Sequence, residues 1–167
     1  MKKGLLLSCF VFTSLLASAQ TTNYPVYALY VINIAKYSAW PNVGEELHIA
    51  VLGKTKVYEE LVKHNGKTVN GHVLKVILIE GAQEVGSSHI LYIADGKSSS
   101  LEEIVAATQG KPLLIIGERE GLFRKGAGFS FVVMENNTLR FDINSTELGK
   151  RNIKVSKNLS SLANSSI

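Results

Sequence analysis

The chain has 167 residues, 46% of them apolar, with 18 basic against 14 acidic residues and one cysteine, Cys9. A charge this nearly balanced gives no reason to expect nucleic acid, which needs clustered Lys and Arg. A lone cysteine excludes both an internal disulfide and a multi-cysteine metal site.

The first element is an export signal. Lys2 and Lys3 form a positive start, and Leu5 to Leu16 is an apolar run broken only by Ser8, Thr13 and Ser14. Ala17-Ser18-Ala19 then supplies the small residues that signal peptidase reads, so the mature chain is expected to begin at Gln20. The run is too short for a membrane anchor, which needs roughly 20 residues. Cys9 lies inside the run and not at the cleavage point, which argues against a lipoprotein. Cleavage after residue 19 leaves 148 residues as a single expected domain, 20–167, a usual size for one core. Losing Lys2 and Lys3 lowers the bases from 18 to 16 against 14 acids, a mature charge of about +2, and Cys9 departs with the signal.

Tyr24 to Trp40 reads as a helix, apolar nearly all round except at Asn33, Lys36 and Ser38, and stopped by Pro41. Leu47 to Leu52 reads as a strand, with a helix from about Thr55 to Lys63 placing Val57, Leu61 and Val62 at helical spacing. Asn65-Gly66 marks a turn, and Val73 to Ile79 and His89 to Ile93 are further strands. Ser99 and Glu102 have the spacing of a capping box opening a helix that Gly110 and Pro112 close. Leu113 to Ile116 is apolar throughout, as in a central strand buried on both faces.

The last third changes character. Phe129 to Met134 and Leu139 to Ile143 flank Asn136-Asn137 as a hairpin, with Arg140 and Asp142 assigned to its polar face. Ile153 to Val155 reads as a short strand, followed by a helix with Leu159, Leu162 and Ala163 on one side. The pattern predicts an α/β fold: a mixed, mainly parallel sheet with helices packed on it and a C-terminal antiparallel hairpin.

Catalytic signatures are missing. Gly53-Lys54-Thr55 follows a strand, but a phosphate loop needs glycine five residues earlier, where His48 stands. His48, His64, His72 and His89 show no metal-ligand spacing, no Gly-x-Ser-x-Gly elbow occurs, and the mature chain has no thiol. Glu118-Arg119-Glu120 follows a strand and reads as a solvated loop, with a crevice lining as its alternative. Four Asn-x-Ser/Thr triplets, at Asn136, Asn144, Asn158 and Asn164, read as chance in a chain with a bacterial style of signal peptide. No enzymatic activity, metal or cofactor is therefore expected.

The segment Tyr30-Val31-Ile32-Asn33-Ile34-Ala35-Lys36-Tyr37-Ser38-Ala39-Trp40-Pro41 resembles the opening of the YfiR family. The resemblance continues in order through Leu47 to Gly53, Gly66 to Gly71, Ser88 to Ile93, Phe129 to Phe131, Leu139 to Asn144 and Ile153 to Ala163. It implies a non-enzymatic periplasmic protein that binds the periplasmic region of a membrane-bound signalling protein, a diguanylate cyclase or a sensor kinase, and restrains it. Family members use periplasmic cysteines for redox control, but Ser88 stands where one would sit, so thiol exchange is ruled out here.

Partner binding needs aromatic anchors in an apolar centre. The candidates are Tyr27, Tyr30, Tyr37 and Trp40 of the first helix, for which a place in the core is the favoured alternative, and Phe123, set among charges and glycines as the better surface side chain. A homodimer remains open, and neither nucleic acid nor direct membrane insertion of the mature chain is expected. The alternative is a periplasmic binding module for a small apolar or cell-wall ligand, with the same aromatics lining a pocket.

Overall fold

The structure is a computed structural model that describes residues 22–167, so the export signal and its cleavage point lie outside the described residues. Helix α1 (Tyr24–Lys36) starts with proline in its first turn, where a missing amide hydrogen costs nothing. It ends four residues earlier than its apolar pattern suggests. Pro41 disfavours helical geometry at Trp40, and Asn70 donates its carboxamide to the carbonyls of Lys36 at 2.6 Å and Ala35 at 3.3 Å. The freed segment becomes strand β1 (Ser38–Ala39), which pairs antiparallel with β9 (Lys154–Val155) in a small separate sheet.

The main sheet has seven strands: β2 (Glu46–Leu52), β3 (Thr68–Val69), β4 (His72–Ile79), β5 (Ile90–Ile93), β6 (Leu114–Gly117), β7 (Phe129–Val133) and β8 (Leu139–Ile143). Their order is β3-β4-β2-β5-β6-β7-β8. The four central pairings are parallel, and β3–β4 and the β7–β8 hairpin are antiparallel. This is the mixed, mainly parallel sheet with a C-terminal hairpin that the sequence predicts. Asn137 has φ of 61°, the left-handed geometry that the hairpin turn requires.

Both faces of the sheet are covered, so its central strands are apolar on both sides. On one face, Ile49, Val51, Ile90, Tyr92 and Ile116 meet α1 and helix α2 (Lys56–Val62). On the other, Leu91, Ile93 and Ile115 meet helix α3 (Leu101–Ala107) and Leu122. Thr55 accepts from the Val57 amide and caps α2. Helix α4 (Ser145–Lys150) and helix α5 (Lys157–Ser160) follow the hairpin, adding Leu148 and Leu159 to the α1 side of the core.

Three local expectations are corrected. Ser100 leads into α3 from a 3-10 turn and its side chain makes no capping bond, so the Ser99–Glu102 box does not form. Asp142 is buried and accepts from Asn164 at 2.9 Å, because the chain after α5 runs back along β8 and covers that side of the hairpin. Leu162 lies beyond the end of α5 and is 59% exposed, while Leu159 and Ala163 pack against the core.

Phe131 joins α1 to the sheet, with its ring edge-on to Tyr27 at 5.1 Å and to Tyr30 at 5.9 Å. Phe131→Ala is expected to cost about 3–5 kcal/mol, read as a lower urea midpoint with an unchanged slope.

Candidate partner-binding site

Helix α1 has more apolar surface than the sheet can cover. Tyr27, Ala28, Val31, Ile34 and Ala35 are buried on it. Leu29, Asn33 and Tyr37, spaced by four, form a stripe that faces out, with Leu29 50% and Tyr37 44% exposed. Beside that stripe runs an open groove of about 500 Å³ lined by Tyr30, Asn33, Tyr37, Arg140, Phe141 and Leu162. A second groove of about 530 Å³ lies between Trp40-Pro41 and Gly149, Ile153 and Lys154. The linings of both grooves carry cations, Arg140 and Lys154, and no carboxylate.

The five candidate aromatics divide. Tyr30 lines the first groove while its hydroxyl donates to the Leu139 carbonyl at 2.8 Å, which fixes the ring. Tyr37 stands free at the end of α1, with the Lys36 ammonium 5.6 Å from its ring centre. Trp40 is half-buried, lines the second groove and donates its indole N–H to the His89 carbonyl at 3.0 Å. Tyr27 belongs to the core. Phe123 is corrected: it is 1% exposed, because the 3-10 turn Leu122–Lys125 folds its ring inward and leaves Arg124 stacked over it at 5.0 Å. Asn144 pins that turn by donating to the Phe123 carbonyl at 2.7 Å. Leu29, Arg140 and Leu162 were missed in the sequence, where they resemble ordinary helix or strand residues. Their spacing from Tyr30 and Tyr37 is the only signal, and it crosses from the first helix to the last third of the chain.

The opposite end of the sheet carries a cluster of charged side chains. Strand order reverses between β2 and β5, the usual place for a ligand crevice. There Gly53 takes φ of 90°, and the aliphatic stem of Lys97 packs where a side chain would otherwise sit. Asp95 pairs with Arg119 at 2.7 Å, which holds the Asp95 carboxyl below its usual range. Glu118 accepts from the Asp95 amide at 3.1 Å, and burial raises its pKa. The exposed Arg119–Asp95 pair contributes little to stability.

The histidines meet in space although their sequence spacing gives no hint of it. The rings of His48 and His89 lie edge-on at 5.9 Å, and the His48 amide donates to His89 Nδ1 at 3.1 Å. Among the described residues no group of three or more His, Cys, Asp or Glu is placed to hold a metal.

With this geometry in view, the chain belongs to the YfiR/HmsC-like family, whose model matches residues 24–164. That family is one of periplasmic regulators of diguanylate cyclase signalling and is not catalytic. The fold also resembles two solved structures. One is a conserved domain protein from Vibrio cholerae O1 biovar El Tor, 14% identical with a TM-score of 0.59, covering 87% of this chain and 60% of that one. The other is an ABC domain from Streptococcus pneumoniae in complex with L-Trp, 13% identical with a TM-score of 0.58, covering 84% and 60%. The chain thus spans about 60% of each structure's length, and at such identity the likeness establishes the fold alone. No curated protein matches the sequence.

Replacing the outward side chains should leave the fold intact. Tyr37→Ser and Leu162→Ser are each expected to shift stability by less than about 0.5 kcal/mol. Trp40→Phe, which loses the bond to His89, should cost about 1 kcal/mol. Urea unfolding followed by circular dichroism distinguishes the two classes.

Proposed function

We propose that the chain is exported, cleaved before Gln20, and works in the periplasm as residues 20–167 without catalysing a reaction. It binds the periplasmic region of a membrane-bound signalling protein, a diguanylate cyclase or a sensor kinase, and restrains it. The observation that carries this reading is the outward stripe Leu29–Asn33–Tyr37 beside an open groove edged by Tyr30, Arg140 and Leu162. Exposed apolar side chains, Leu29 and Tyr37, beside a groove edged by Arg140 suit a protein partner, whose interface joins apolar contacts to a polar rim. Restraint then follows from thermodynamics: a domain that binds one conformation of its partner more tightly moves the partner's equilibrium by that difference.

The alternative, a small-ligand module, draws support from the L-Trp complex of the fold relative. Against it, the Lys97 stem packs over Gly53 at the strand-order reversal, the usual ligand crevice of such a sheet.

In-cell crosslinking followed by purification tests the reading. Wild type and Glu103→Lys, on the far face of the sheet, should recover a membrane protein with a periplasmic region. Tyr37→Glu combined with Leu162→Glu should reduce recovery about tenfold, equivalent to about 1.4 kcal/mol. Recovery of no membrane signalling protein by wild type would sink the proposal, and equal recovery by the double variant would move the contact elsewhere.

A further inference from the structure

His89, just ahead of β5, is a hub of four hydrogen bonds. Its amide donates to the His48 carbonyl at 3.0 Å, and its own carbonyl accepts from both the Leu114 amide at 2.9 Å and the Trp40 indole at 3.0 Å. Its ring makes the fourth bond, with Nδ1 accepting from the His48 backbone amide. An amide can donate only into an unprotonated nitrogen, so this arrangement requires neutral His89 with its proton on Nε2. The Trp40 ring packs edge-on against the same imidazole at 6.3 Å.

We propose that His89 is a pH-operated latch on Trp40: when Nδ1 takes a proton from solvent, the ring must leave the His48 amide, and the indole, still bonded to the His89 carbonyl, loses the imidazole that covers its ring. Protonation turns an N–H···N bond into two opposed N–H groups, and the ring can relieve that only by rotating away. The surroundings reinforce the effect. His48 on β2 and His72 on β4 both act on His89 as like charges when protonated. The carboxylate in the cluster is Glu46, already engaged with His48 at 2.7 Å and Lys75 at 3.6 Å. Burial, followed by His48 and His72, lowers the His89 pKa from 6.5, so the latch holds at neutral pH and opens on acidification. Trp40 lines the grooves on both sides of the β1 segment, so the loss of that cover alters the surface whatever partner it meets.

The sign for stability follows. The unfolded chain takes up the His89 proton near pH 6.5, while the folded chain resists it until lower pH. Stability from this site is therefore present above 6.5 and is lost as pH falls through the folded value.

Trp40 is the chain's one tryptophan, so its fluorescence reports the latch directly. Titrating the protein from about pH 8 to about pH 5 should give a red shift of emission and greater quenching by neutral acrylamide, with a midpoint below 6.5. In His89→Gln, whose side-chain oxygen can accept the same amide without titrating, the transition should vanish. His72→Gln, which removes a like charge, should raise the midpoint and keep the transition. A constant wild-type emission maximum, an unchanged transition in His89→Gln, or a midpoint unmoved in His72→Gln would each overturn the proposal. The last readout decides the matter should His89→Gln fail to fold.

Discussion

The fit of one over-apolar helix onto a twisted sheet governs much of this molecule. Helix α1 is the chief cover for the sheet face that carries Tyr92, Phe131 and Phe141, and it can present only one stripe to it. Tyr27 and Tyr30 are placed by their edge-on contacts with Phe131, and Tyr30 adds its hydroxyl bond to Leu139. With that stripe fixed, Leu29 and Tyr37 have nowhere to go but out. The surface assigned to a partner is thus the remainder of a packing problem: the side that seats the helix determines the side left exposed.

The end of α1 carries the second constraint. Asn70, at φ of 52°, takes the terminal carbonyls of the helix, and Ser38–Ala39 turns to pair with β9. That turn brings Trp40 to the start of β5 and places the groove-lining segment against the last third of the chain. First and last elements therefore meet at one end of the sheet, with Arg140 and Lys154 beside Tyr37 and Trp40. At the opposite end, where α/β sheets usually bind ligands, the Lys97 stem packs over Gly53 near the exposed Asp95–Arg119 pair. The open aromatic surface lies at the other end of the strands.

Much of this was legible in the sequence, because periodicity reports burial. The apolar runs Ile49 to Leu52 in β2, and those of β5 and β6, are continuous because both faces are covered, and the Asn136-Asn137 turn announced the hairpin. What escaped was decided by distant contacts. The shortening of α1 depends on Asn70 and β9, neither of which is near it in sequence. Asp142 alternated correctly for an outer face, but the returning chain with Asn164 covered it. Phe123 looked exposed among charges and glycines because a short 3-10 turn can bury one ring while its neighbours stay in water. The imidazole contact between His48 and His89 follows from the parallel register of β2 and β5, which no local spacing encodes.

The central claim is that the partner docks on the α1 end of the molecule. Amide hydrogen exchange, with and without the periplasmic region of the recovered membrane protein, tests it most directly. The account predicts added protection in residues 29–41, 138–141 and 157–162, and little change elsewhere. Protection concentrated instead at residues 53–55, 94–97 and 118–121, the carboxyl ends of the parallel strands, would contradict it.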